Sequence, residues 1–495
     1  MRKEAGEGGG SPGQPLGGYD FQDRPFQSEP RGLSLITSFK LYERLSPMAG
    51  DQSQSTAELL TAAAAEVVPA PGREPWDYGW CVPGYRRSPR AALESPSGPV
   101  TIRREGIAAF EDAAKRLLLE KQIQSRWDSE EFWGILASLV VAASQMSEGR
   151  PTFIDNNLER LKKVGPALTL ELLANVVWAR SPLAIGDVVI GDAGEEFLSF
   201  VNARANGRAQ VDDEAGRSWL STQIEPRVLG DDAVRPVAIA CWTIGQHELA
   251  HKQTERQVRD VINLSILLER NLSKRHVSGL AHVDRPGIRG LVLDRTAIDR
   301  GLNDTARLEL ASFPLTATSL GNRSRVHWYS ATPMPLSDLL GQDYLRDAVE
   351  SCLLRADSIS ARTRVAARWF SEAHYASFDD DAALALGVAM DALIGGQRAL
   401  PGSAMADRFA LLNEDPEIRR KLVAEYKKYY GVRSSVAHGG RSSKLDASGF
   451  LANYKASVQW AAWRSLALRD KFAVSSEMDV DTLYDDLRWG VRSWT

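Results

Sequence analysis

From residue 336 onward the chain is written almost without interruption in the helical period. The stretches 336–354, 358–376, 379–394, 403–412, 416–438 and 448–472 space their apolar residues three and four apart, and a shorter one over 479–488 closes the series. Each such helix has an apolar stripe that a lone helix leaves in water. A run of them joined by short breaks buries those stripes only by packing side by side. The spacing therefore predicts a helical bundle over 335–475, followed by a short helix and tail at 476–495.

The period changes upstream. Residues 1–55 are rich in Gly, Pro, Ser and Gln and carry too little apolar surface to offset chain entropy, so a disordered tail is expected. A loop-rich segment follows over 56–102, with an Ala-rich helix at 56–68 and a Pro- and Gly-punctuated stretch at 69–90. There Trp76, Tyr78, Trp80 and Tyr85 read as surface-pinning side chains. From 103 to 182 the pattern is helical. Ile107, Phe110, Ala114, Leu117 and Leu118 fall near one face, Asp128 opens a strongly apolar helix, and helices are expected over 156–164 and 167–179. Between 183 and 333 short β-rich runs at 184–190, 234–244, 287–294, 306–313 and 323–331 surround one long helix at 246–269, which predicts a small α/β domain. The fold class is thus α+β, mainly α: an N-terminal helical region, a small α/β domain and a C-terminal bundle.

Composition narrows the function classes. With 43% hydrophobic and 25% charged residues among 495, the chain has the make-up of a soluble globular protein. A formal net charge of −4 provides no global field to draw in nucleic acid, so any such contact needs a local basic patch. Cys81, Cys241 and Cys352 are far apart and lack metal-ligand spacing, which points to a reducing, cytoplasmic compartment rather than a disulfide framework. The most apolar helix, at 132–146, is too short to span a bilayer, so no membrane partner is expected.

Two motifs carry chemistry. The first is "HELAH", in which His247 and His251 share a helical face and Glu248 has the place of a general base, the arrangement of a zinc hydrolase. Against it, "KQTERQVRD" follows at once, so the first half of the helix reads as solvated with both histidines facing water. Glu269 has no supporting motif as a third ligand. The expectation is no metal, with the zinc hydrolase kept as a minor alternative.

The second motif is "EYKKYYGVRSSVAHGG". Arg433 supplies a planar, permanently charged fork suited to phosphate, and His438 exchanges protons near neutral pH. Gly439 and Gly440 end the helix directly after it, leaving His438 at the negative end of the helix dipole. Lys427, Lys428, Arg441 and Lys444 add local positive charge, and Tyr430, with Tyr426 and Tyr429, offers rings for base stacking or for the core. Positions five apart diverge by about 140° on an ideal helix. The pair converges only if the helix distorts near Gly431 or a second copy completes the site.

On these residues the region 335–473 resembles the Apea-like group of the HEPN superfamily. "YYGVRSSVAHGG" matches that group's Arg–His helix. "DDDAALALGVAMDALIGG" matches its earlier acidic helix, with Asp391 where Glu is usual, and "RVAARWFSEAHYA" matches the helix leading in. The resemblance implies a bundle that forms a homodimer through the motif face and cleaves RNA without a cofactor. Arg433 and His438 would be the catalytic pair, Ser434 an orienting residue and Asp391 the acid that fixes the Arg433 fork. It further implies a role in phage defence or a toxin-like system. The alternative it leaves open is a non-catalytic module that binds RNA or nucleotide, or only dimerises.

Overall fold

The computed structural model describes residues 54–69, 93–95, 98–174, 176–211, 227–229, 232–234, 237–270, 287–294, 307–311, 334–376, 378–396, 400–440 and 442–494. Residues 1–53 of the tail expected over 1–55, residues 70–90 of the aromatic stretch at 69–90, the strand expected at 323–331 and Arg441 lie outside the described residues, as do the side chains of His247 and Glu248.

The first part of the chain holds α1 (Thr56–Ala65), β1 (Val67–Pro69), β2 (Leu93–Ser95), β3 (Gly98–Ile102), α2 (Arg104–Leu118), α3 (Lys121–Gln124), α4 (Ser129–Ser144) and α5 (Arg150–Lys163). Ser55 and Glu58 form a reciprocal capping box that starts α1. Phe110, Leu117, Phe132, Leu136 and Leu139 make a core of their own between these helices. The apolar run at 132–146 is the centre of that core, which explains its hydrophobicity without a membrane. Among the described residues no helix is long and apolar enough to cross one.

The sheet follows, with β4 (Ala167–Ala174), β5 (Val176–Val177), β6 (Leu183–Ile185), β7 (Val188–Asp192), α6 (Glu195–Arg204), β8 (Arg227–Leu229), β9 (Asp232–Val234), β10 (Val237–Thr243), α7 (His247–Leu268), β11 (Gly287–Asp294) and β12 (Arg307–Ala311). Its six strands run in the order β12-β11-β4-β10-β7-β6, and every neighbouring pair is antiparallel. Here the expected helix at 167–179 is corrected. "ALTLELLA" is made of helix formers, yet it is a central strand flanked by β10 and β11. Leu168, Leu170 and Leu172 face the α6 side with Phe197 and Val201, while Leu173 joins the core on the α7 side. Leu168, Leu170 and Leu172 alternate with Thr169 and Glu171, the period of a strand, and here that period and pairing on both edges outweigh the helix propensity of Ala, Leu and Glu. The sheet therefore takes in residues that the sequence pattern assigned to the helical region.

The remainder is β13 (Met334–Pro335), α8 (Leu336–Leu340), α9 (Asp343–Leu354), α10 (Ser358–His374), α11 (Asp379–Ile394), α12 (Gly402–Leu411), α13 (Pro416–Ala437), α14 (Phe450–Phe472) and α15 (Glu477–Trp489). The expected helix 336–354 is two helices, broken at Gly341, where the Arg180 guanidinium lies so close that a Cβ would meet it. The chain is α+β and mainly α. The bundle and the sheet are not separately cored. Leu173 and Ile239 of the sheet, Val258 and Leu264 of α7, and Leu386, Phe409 and Tyr454 of the bundle belong to one apolar cluster.

Helix α7 makes that continuity possible. At its start Gln246 donates to the Gly165 carbonyl, and Lys252 pairs with Asp128 at 3.1 Å. At its end Gln459 of α14 donates to the carbonyls of Ile266 and Glu269, and the Trp463 indole donates to that of Leu268. These side chains occupy carbonyls that a helix C-terminus otherwise leaves without partners.

Candidate functional site

Helix α13 carries the Arg–His motif. Asp415 caps its start by accepting from the Glu417 amide, with Pro416 in the first turn. The helix passes through Gly431 unbroken, so the distortion allowed for there does not occur. It stops at Ala437. His438 is the C-cap, Gly439 follows at φ +75°, and the Gly440 amide donates to the Ser435 carbonyl. That left-handed residue is the stop expected from the two glycines. Val432 and Leu445 pack together behind the motif with Ala383 of α11.

Arg433 points at α11. Its Nη1 lies 2.5 Å from Oδ2 of Asp391, and each side chain is about 30% exposed. One turn earlier on α11 stands Gly387. A Cβ built there would come within 2.4 Å of the Arg433 Cδ, so the absence of a side chain lets the stem of Arg433 lie against the helix. Gly387 under the stem and Asp391 under the head form a cradle four residues long on one helix face. The Tyr426 hydroxyl donates to Oδ1 of Asp391 at 3.4 Å. Burial pushes the Asp391 carboxyl above its ordinary range, while Arg433 and Tyr426 draw it back down.

The tyrosines divide. Tyr426 and Tyr429 are core residues. Tyr429 stacks on Tyr454 with ring centroids 4.1 Å apart and hydrogen-bonds Glu425 at 2.5 Å, and burial pushes both phenols upward. Tyr430 alone of the three is exposed, lying over Gly402. Lys427, Lys428 and Lys444 are exposed, as is His438; Ser434 is half-buried. One chain thus brings Arg433 and Asp391 together and leaves His438 at the solvent end of the helix. Gly387 and the Tyr426 bond were not singled out from the sequence. An isolated Gly inside the pattern "ALALGVAMD" is the signal that marks a close approach.

The other motif is corrected in part. His251 does not face water: it is 2% exposed, and its Nδ1 lies 3.3 Å from Oε1 of Glu171 on β4, itself fully buried. Burial raises the Glu171 carboxyl, with His251 opposing. Glu269 is buried too, and accepts from Gln342 and Tyr344. No group of three potential metal ligands occurs among the described residues. Ala250, Thr254 and Val258 are buried beside His251, so the polar first half of this helix packs on the sheet.

No family model, curated protein or solved structure matches this chain.

Proposed function

We propose that the chain is a metal-independent endoribonuclease of HEPN type, acting in the cytoplasm as a homodimer. The observation that carries this reading is the cradle on α11, where Asp391 and Gly387 hold a half-exposed Arg433 beside the exposed helix end that bears His438. An arginine fixed by a carboxylate is a pre-oriented fork for a phosphodiester. Helix α13 runs unbroken to Ala437, positions five apart on such a helix point about 140° apart, and in this reading a second copy meeting this face supplies the missing half of the site.

In the proposed reaction the ribose 2′-oxygen attacks the adjacent phosphorus. The 2′-hydroxyl proton passes to one His438 imidazole, and the 5′-oxygen leaves with a proton from the other. The products are a 2′,3′-cyclic phosphate and a 5′-hydroxyl. Arg433 counters the charge that grows on the phosphate oxygens, Ser434 orients a phosphate oxygen or the imidazole, and Lys427, Lys428, Arg441 and Lys444 guide the backbone, with Tyr430 as a stacking surface. The 2′-hydroxyl requirement restricts the substrate to RNA. The biological setting that accompanies the reading is phage defence or a toxin-like arrest.

One observation favours the second reading, a binding or dimerisation module without turnover: Asp391 already neutralises Arg433. Purified protein incubated with total RNA in EDTA separates the two. Cleavage lost in both Arg433→Ala and His438→Ala supports the nuclease. RNA binding without cleavage, indifferent to His438→Ala, supports the module.

A further inference from the structure

The last turn of α11 is held from outside by two arginines. Its C-cap, Gly395, is extended (φ −61°, ψ −178°), and its amide closes the turn on the Asp391 carbonyl at 2.8 Å. The Gly395 carbonyl then accepts from Nη1 of Arg362 on α10 at 2.5 Å and from Nη1 of Arg408 on α12 at 2.7 Å. Both guanidiniums are themselves anchored by α15. The Nε of Arg362 donates to Glu477 at 3.0 Å, and Nη2 of Arg408 donates to Asp481 at 2.8 Å. Arg408 is 7% exposed and lies over the Tyr484 ring, its carbon 4.8 Å from the centroid. Gly396 leaves room for this arrangement, since a Cβ there would sit 3.0 Å from Asp481 and 3.2 Å from Arg408.

We propose that Arg362 and Arg408 are positioning residues for the Asp391–Arg433 pair, and that the C-terminal helix α15 sets this site by holding them in place. The inference rests on the reading of Arg433 as the phosphate-handling residue. Asp391 begins the turn that Gly395 closes, so a shift of the clamped carbonyl moves the Asp391 backbone with it. The electrostatics point the same way. A carboxylate in the last turn sits at the negative end of its helix, an unfavourable place, and two guanidiniums on the terminal carbonyl offset that field. Hydrogen bonds from charged donors are stronger and more directional than neutral ones, which suits a clamp that fixes both position and charge. Two arginines from different helices on one carbonyl, each held by an acidic residue of α15, exceed what ending a helix needs, since a single αL glycine suffices at α13 and α15.

The test reads Arg433 directly. Full-length protein is treated with phenylglyoxal, and the modification rate at Arg433 is followed by peptide mass spectrometry, with exposed Arg420 on the same helix as reference. In Arg408→Met and Arg362→Met the Arg433 rate should rise about fivefold, the scale of one lost kilocalorie of ordering, with Arg420 unchanged. Arg408→Lys, which keeps a charged donor toward Gly395, should restore most of the protection. If a methionine variant does not fold, Asp481→Asn loosens the same clamp more gently and should raise the rate in the same direction. Unchanged Arg433 reactivity in a folded variant, or equal rises at Arg433 and Arg420, overturns the proposal. The outcome is independent of RNA. Wild-type protein that neither cleaves nor binds RNA removes the nuclease reading and leaves this measurement standing.

Discussion

Gly387→Ala separates the site from the stability of the fold. The new Cβ would lie 2.4 Å from Cδ, 2.7 Å from Cγ and 3.1 Å from Nε of Arg433. Carbon atoms rest at about 3.5–4.0 Å, so the stem must retreat by about 1 Å. The obstacle is a flexible side chain that is part-exposed, whereas α11 is packed into the main core through Leu386, Ala389 and Met390. Arg433 therefore moves and the helix does not. Replacing a mid-helix Gly by Ala gains about 1 kcal/mol of helix propensity. Crowding a packed position costs about 1–3 kcal/mol. The net lies between about zero and 2 kcal/mol of destabilisation, a melting shift of no more than a few degrees. A displacement of about 1 Å in a group that orients the reacting phosphate is worth about 100-fold in rate. The assay is single-turnover RNA cleavage beside a thermal melt of the same preparation. A variant that melts within a few degrees of wild type and cleaves at the wild-type rate would refute the cradle as the device that aims Arg433.

Three further outcomes follow from the geometry. Glu171 is held above its ordinary value of 4.5 by burial, so the folded chain takes up its proton first. The associated stability is full below that value and is lost as pH rises through the raised one, and Glu171→Gln should flatten the fall in melting temperature above about pH 4.5. An unaltered pH profile would place the titration elsewhere. Gln459→Leu strips the donor from the Ile266 and Glu269 carbonyls at the buried end of α7. At about 1–3 kcal/mol for each stranded group, the urea midpoint should drop clearly, and an unmoved midpoint would mean the carbonyls find other partners. Gly439→Ala forces a Cβ into the left-handed region at about 1–2 kcal/mol and should unwind the turn carrying His438. Amide exchange at 435–439 should speed up while the global melt barely changes; wild-type protection there would contradict the C-cap account.

The elements with strong local punctuation were legible in the sequence. The bounds of α11 agree residue for residue with the pattern over 379–394, because three aspartates open it and a Gly–Gly pair closes it. The end of α13 follows from Gly439 for the same reason: left-handed backbone at one position is a local steric matter.

What the linear pattern left undecided depended on partners distant along the chain. "ALTLELLA" is helical by composition and became a strand because β10 and β11 flank it and both its faces are covered. His251 sits in a polar run that suggests water, and is buried because Glu171 on that same strand waits beneath it. Arg433 and His438 were visible as a pair, and the resemblance implied that Asp391 fixes the Arg433 fork, but the cradle that Gly387 opens for the Arg433 stem depends on the packing of α13 on α11. Periodicity and turn chemistry act over a few residues and are written locally. Register, burial of a polar face and the direction of a long side chain are settled by what arrives from elsewhere in the fold.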